Sequence, residues 1–251
     1  MTAGPFGLDG RTAVVTGAST GIGQAIAAGL AQAGARIVAI GRSPMDETAT
    51  MIGEVSRFHA VHADLSRTES LQGVVDEAVE WAGHIDILVN NAGIIRRNDA
   101  LDFTEANWDA VVDVNLKSVF FLTQAAARHM LTRGGGRIVN VASLLSFQGG
   151  IRVASYTAAK SGLAGLTRIL ACEWAARGIN VNAVAPGYVE TNNTAELRAD
   201  PVRSRQILER IPAGRWAKPS DIAGAVTFLA SDAAAYVHGV VLPVDGGWLA
   251  R

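Results

Sequence analysis

The chain has 251 residues, 49% of them hydrophobic, with Lys+Arg 22 against Asp+Glu 23 and a formal net charge of -1. That length suits one large core and one α/β domain over residues 1–251, and near-neutral charge without a basic block excludes the electrostatic footprint of a nucleic-acid binder. No apolar run reaches the ~18 residues of a membrane span and the start lacks the pattern of a signal peptide, so the reading is a cytoplasmic protein with no membrane partner. Cys172, the single cysteine, allows no internal disulfide; it stands among apolar helix residues, which predicts a buried, inert thiol.

Residues 12–16 read as a strand buried on both faces, followed at once by Gly17-Ala18-Ser19-Thr20-Gly21-Ile22-Gly23 and a helix to about Ala33. Gly34 stops the helix, and residues 36–40 form the next strand. This βαβ unit has the parts of an anion site: glycines let the backbone approach a pyrophosphate, and the free N–H groups of the helix start attract its charge. Tight turns in α/β proteins also use glycines. About 20 residues beyond such glycines, an acidic side chain would bind the ribose hydroxyls of NAD. Here the strand ends in Gly41-Arg42, with no carboxylate to repel a 2′-phosphate and Arg42 placed to receive one, which favours NADP over NAD. An Arg after a strand is also an ordinary solvated charge.

A helix over residues 46–56 and a short strand over 58–62 come next. Asp64 then suits either the adenine amino group or a helix cap beside Ser66. An amphipathic helix over 68–81 leads to a strand over 85–89 and to Asn90-Asn91-Ala92-Gly93, where small residues leave room for a flat ring and the amides suit ties between strands. Thr104-Glu105 starts a helix that runs through Leu122 and is interrupted by Asn115. A buried Asn there needs partners: it either anchors a water, loosens the local backbone or is a satisfied core amide. The strand over 137–142 ends at Ser143, on the edge where ligands of open α/β sheets collect.

The loop 144–153 feeds a helix carrying Tyr156 and Lys160. A spacing of four puts the two side chains on one helical face, about 5–6 Å apart at Cβ. A free phenol titrates near ~10 and is a poor proton carrier at neutral pH, so a neighbouring ammonium is expected to lower its pKa. A lone Tyr and Lys at this spacing is otherwise a surface pair. Leu163, Leu166, Leu170 and Trp174 follow at core spacing, and Gly162 and Gly165 suit close packing. A strand over 179–185 ends at Pro186-Gly187. Residues 188–212 are polar and predicted irregular, a lid. A helix over 219–229 and a strand over 240–244 complete the alternation. The whole predicts an α/β fold: a Rossmann-like doubly wound parallel sheet of about seven strands flanked by helices. His59, His62, His84, His129 and His238 form no ligand pair with a carboxylate, so no metal is expected.

The residues from Thr16 through Gly23, Asn90 through Gly93, Asn115, Ser143, Tyr156 with Lys160, and Pro186-Gly187 with Thr191 resemble the short-chain dehydrogenase/reductase family in its own order. Ile95-Arg96-Arg97, Ser146 through Arg152, Tyr188 with Thr191 through Thr194, Arg210 through Trp216 and Val244 through Arg251 look like its sugar-acid branch. The resemblance implies an oxidoreductase interconverting a secondary alcohol and a ketone on a sugar acid of the gluconate or deoxy-ketogluconate type. It implies Tyr156 as general acid/base, Ser143 on the substrate oxygen, Lys160 lowering the phenol pKa and holding nicotinamide ribose, and Asn115 anchoring a water in a proton relay. Gly17, Ser19, Gly21, Ile22 and Gly23 would hold the phosphates, with Asp64 and Leu65 around adenine. Asn91, Ala92 and Gly93 would line the ribose side, and Pro186, Gly187, Val189 and Thr191 the nicotinamide. Bacterial members of the branch are mostly NAD enzymes, from which Gly41-Arg42 departs. A homotetramer is implied as well.

A sugar acid needs a cation for its carboxylate, and Arg96, Arg97 and Arg152 follow strand ends. Gln148 and Asn192 are candidates for its hydroxyls. The rival readings are a 3-oxoacyl carrier-protein reductase, a non-catalytic dinucleotide sensor, and a nucleotide-sugar epimerase, for which the chain is too short.

Overall fold

In the computed structural model, which describes residues 4–251, every pair of consecutive strands is joined through at least one helix. The strands are β1 (Thr12–Thr16), β2 (Arg36–Gly41), β3 (Phe58–His62), β4 (Ile87–Asn90), β5 (Gly136–Val141), β6 (Ile179–Pro186) and β7 (Val241–Val244). The helices are α1 (Gly21–Gln32), α2 (Asp46–Ile52), α3 (Leu71–Ala82), α4 (Glu105–Val112), α5 (Ser118–Thr132), α6 (Ala154–Trp174), α7 (Ala195–Ala199), α8 (Pro201–Arg210) and α9 (Pro219–Ala230). Among the described residues the sheet has order β3-β2-β1-β4-β5-β6-β7, all pairs parallel.

Every residue of β1 is buried, as a strand covered on both faces requires. Its side chains alternate between two layers. Ala13 and Val15 pack with Ile26 and Leu30 of α1 and Ile222, Val226 and Leu229 of α9. Val14 joins Leu71 and Val75 of α3, Leu122 and Met130 of α5 and Leu170 of α6 on the other side. The sheet is therefore doubly wound: successive strands are added outward from β1 through β2 to β3, and then on the other side of β1 from β4 to β7, so the winding switches between β1 and β4. Side-chain amides cross-link the middle of the sheet: Asn90 donates to Asn140 at 2.9 Å and to Thr123 at 2.9 Å, and Asn140 donates to Thr167 at 2.9 Å.

Several expectations need correction. The helix expected over 46–56 stops at Ile52 because Gly53 turns left-handed (φ 76), and residues Val55–Arg57 form a separate 3-10 turn. The helix expected from 68 begins as a 3-10 turn, Thr68–Ser70, before α3. Cys172 is exposed, not buried. The inward stripe of α6 is Leu163, Thr167, Leu170 and Ala171, and a step of about 100° past Ala171 carries the thiol to the solvent side. The segment expected to be irregular is helical: Asn192–Thr194 makes a 3-10 turn, then α7 and α8 follow. Asp200 caps α8 by accepting from Val202 and Arg203 N–H at 2.9 and 3.0 Å, with Pro201 at the first helical position.

Candidate active site

The carboxyl ends of the central strands open onto a cleft of about 500 Å³. The turn after β1 shapes one end. Gly17 has φ 65, and a Cβ there would lie 2.9 Å from Ala92 Cα and 2.9 Å from Asn91 Nδ2. A Cβ on Gly23 would overlap the Gly17 carbonyl, so the helix start can close on the strand end only through glycine. Thr20 makes no side-chain cap bond to α1, and the first turn holds no acidic residue, which leaves its N–H groups and dipole to an anion. Gly17, Ser19, Gly21, Ile22 and Gly23 all line the cleft. The residues thus fit a pyrophosphate.

Thr16, whose part the sequence reading left out, pins this end. Its hydroxyl donates to Val89 O at 3.3 Å and accepts from the N–H groups of Asn91 and Ala92 at 2.9 and 3.0 Å. Asn91 returns its amide to Thr16 O at 2.9 Å and Gly17 O at 3.2 Å, so Asn91, Ala92 and Gly93 are held on the cleft wall. A Thr closing a buried strand before a glycine turn was the available signal.

At the outer end, Arg42, Asp64 and Leu65 line the cleft. Asp64 accepts from the Ser66 N–H at 3.0 Å and hydroxyl at 2.9 Å, bonds that hold its carboxyl below the usual range, with Arg42 and Arg67 adding to the effect. Asp64 thus closes the turn after β3 and does not cap a helix, since the 3-10 turn that follows starts after Arg67 and α3 after Ser70. Among the described residues Arg42 has no ion-pair partner.

Ser143, Tyr156 and Lys160 line the inner end. Ser143 is delivered by the end of β5, and its Oγ accepts from Leu145 N–H at 3.2 Å, which leaves its own proton to donate. Two further serines staple that turn to α6: Ser146 donates to Lys160 O at 2.7 Å and Ser161 to Leu145 O at 3.1 Å. Lys160 Nζ donates to Val141 O at 2.6 Å and lies 5.6 Å from the centroid of the Tyr156 ring. The surroundings of the half-buried Tyr156 move its phenol up and not down. Burial raises the Tyr156 pKa, with the Ser143 hydroxyl and the Arg97 guanidinium opposing it. Burial also pushes the Lys160 ammonium down to about 8, so the cation meant to help is itself disfavoured.

Asn115 sits behind the cleft. It is fully buried within a π turn, Asp113–Lys117, that separates α4 from α5. Its Oδ1 accepts from Ile94 N–H at 2.8 Å and its Nδ2 donates to Ile94 O at 2.9 Å. The side chain thus fixes the loop after β4, using one lone pair of its oxygen and one of its two N–H donors.

Pro186, Gly187, Val189 and Thr191 line the wall after β6. Of the expected substrate contacts, Arg96 and Asn192 line the cleft, and Arg97 reaches across to donate to Asn193 O at 3.1 Å. Gln148 and Arg152 are not on its lining. Gln148 Oε1 is occupied by Trp248 Nε1–H at 3.2 Å. Arg152 is exposed, left-handed (φ 64), and lies 3.6 Å from Asp99 across the loop. Among the described residues, no cluster of three His, Cys, Asp or Glu could hold a metal ion, and no helix is long and apolar enough to cross a membrane.

Comparison with known proteins places the whole chain among dehydrogenases. A family model described as enoyl-(acyl carrier protein) reductase matches residues 17–249. The 2-dehydro-3-deoxy-D-gluconate 5-dehydrogenase of Escherichia coli is 57% identical over 100% of both chains. A putative 2-deoxy-D-gluconate 3-dehydrogenase of Agrobacterium tumefaciens, crystallised with bound NADP, is 59% identical at TM-score 0.93, covering 98% of this chain and 99% of its own. A gluconate 5-dehydrogenase of Burkholderia cenocepacia in complex with NADP and tartrate is 39% identical at TM-score 0.93, covering 100% of both. The chain belongs to the short-chain dehydrogenase/reductase family.

Proposed function

We propose that the chain, acting as one catalytic domain, is an NADP-preferring dehydrogenase that interconverts a secondary alcohol and a ketone on a sugar acid of the 2-dehydro-3-deoxygluconate or gluconate type. The observation that carries this reading is the meeting of Ser143, Tyr156 and Lys160 at the inner end of a cleft whose outer end holds Arg42. A bound nicotinamide would supply or accept the hydride. In the reducing direction Tyr156 Oη gives its proton to the oxygen of the carbonyl being reduced, while Ser143 donates to the same oxygen. A phenol, which titrates near ~10, holds its proton at neutral pH, which suits this role. In the oxidising direction the phenolate takes the alcohol proton, and the Lys160 ammonium steadies the anion. Asn115 keeps the Ile94 loop in place beside them. Arg96 and Asn192 face the substrate carboxylate and hydroxyls.

The likeness to the sugar-acid enzymes and their NADP complexes supports both substrate and cofactor over an acyl-carrier-protein substrate. We place the enzyme in the cytoplasm, in keeping with its one unpaired thiol, Cys172. It works as a homo-oligomer, a tetramer on this reading, since Trp108, Phe121 and Ile169 stand 41%, 41% and 52% exposed on α4, α5 and α6. The deciding experiment is a spectrophotometric screen of 2-dehydro-3-deoxygluconate, gluconate and an acetoacetyl thioester with NAD(H) and NADP(H). The sugar acids with NADP(H) should give the highest kcat/KM, and Tyr156→Phe should lose on the order of 10²-fold or more in turnover with NADPH binding retained. A preference for the thioester, or a Phe variant of undiminished turnover, defeats the proposal.

A further inference from the structure

The last residues of the chain lie under the substrate side of the cleft. After β7, Asp245 accepts from the N–H groups of Gly247 and Leu249 at 2.9 and 3.0 Å, curling the chain so that Trp248 is only 4% exposed. Three segments converge on its indole. Nε1–H donates to Gln148 Oε1 at 3.2 Å, on the turn that follows Ser143. The Tyr188 ring, next to Gly187, lies with its centroid 4.8 Å away. The Arg210 guanidinium, at the end of α8, stacks 4.0 Å over the indole. Leu144, Ile207 and Trp216 fill the space between them.

An indole N–H can only donate, so it fixes the Gln148 amide with its oxygen towards Trp248 and turns the NH2 donors away from it. Arg251 tightens the assembly by donating to the Glu209 carbonyl and, at 3.1 Å, to the Arg210 carbonyl. The chain end thereby satisfies carbonyls that α8 leaves open.

We propose that Trp248 is a positioning residue for the substrate: it locks the Ser143 turn, through Gln148, and the strand end at Gly187, through Tyr188, to α8, through Arg210. The proposal rests on the sugar-acid dehydrogenase reading. It places no load on the phosphate end of the cleft, which Trp248 does not touch.

Two variants separate positioning from bulk packing. Trp248→Phe keeps an aromatic ring under Tyr188 and Arg210 while removing the N–H, and Gln148→Leu removes its acceptor. Each should lower kcat/KM for the sugar acid by about fivefold, the worth of one neutral hydrogen bond, chiefly through KM, with NADPH affinity unchanged. Combined, they should lose no more than either alone, because both delete one interaction. Amide exchange over residues 144–148 and 205–210 should quicken in Trp248→Phe while residues 17–23 stay as in the wild type. If the wild type turns over no sugar acid but this exchange pattern appears, the functional reading fails and the positioning role stands. Losses that multiply in the double variant, an equal fall in NADPH affinity, or wild-type KM with wild-type exchange would overturn the role of Trp248.

Discussion

Lys160 carries its charge at 3% exposure with one recorded bond, to the Val141 carbonyl, and burial brings its pKa from 10.5 to about 8. A base with a depressed folded pKa weakens the fold at low pH. Below about 8 both folded and unfolded chains hold the proton and the cost is full. Between about 8 and 10.5 the unfolded chain binds a proton that the folded chain does not, so stability from this group rises with pH. Lys160→Met should therefore stabilise the dinucleotide-free protein at pH 7, by up to about 2 kcal/mol after the lost Val141 bond is discounted. The advantage should shrink as pH climbs towards 10.5, and activity should be lost throughout. Thermal midpoints of both proteins across that range check it; a Met variant less stable at pH 7 would show that the ammonium is better satisfied than its surroundings indicate. The pairing of Tyr156 with Lys160 was readable from a four-residue spacing. The direction of the phenol's pKa was not, because desolvation depends on what tertiary packing brings over the ring.

At the level of elements, the π turn at Asp113–Lys117 shows why Asn115 interrupts an otherwise apolar helix. One extra residue in the turn swings the amide onto the Ile94 main chain, where it replaces strand-like bonding for a loop that has none. Asn115→Leu would leave the Ile94 N–H and C=O without their partner and should cost about 2 kcal/mol or more, read in chemical denaturation. It should also reduce turnover, because Gly93 and Ile94 line the cleft. Unchanged stability would mean that the loop is held by other contacts. The sequence announced this break through a polar residue in an apolar run, yet it gave no sign of which backbone the amide would meet. The lid was misjudged for a related reason. Its composition is polar, and the cap at Asp200-Pro201 that starts α8 was there to be read, but the burial of Ile207 and Ile211 draws on Leu144 and Trp248, which lie far off along the chain.

Across the whole molecule, the sheet order brings the end of β2 and the turn after β1 to one side of the point where the strand order switches, and β4, β5 and β6 to the other. Alternating strands and helices made a doubly wound parallel sheet of about seven strands legible, since crossover helices between parallel neighbours admit few topologies, but not the order in which those strands lie. The cleft is continuous from Arg42 to Lys160, so cofactor choice at one end should be readable in the stability of the entire fold. A ligand that binds only the folded state adds about 2.7 kcal/mol at a hundred times its Kd. At equal concentration NADP should raise the thermal midpoint of the wild type more than NAD, because Arg42 offers a guanidinium to the 2′-phosphate with no competing ion pair. Arg42→Asp would put a carboxylate at the end of β2, where it can accept from ribose hydroxyls and repel that phosphate. The order of the two midpoint shifts should then reverse, while the dinucleotide-free midpoint stays close to wild type, since the Arg42 side chain is exposed. If both proteins rank the two cofactors alike, Arg42 is a solvated charge and the preference arises elsewhere in the cleft.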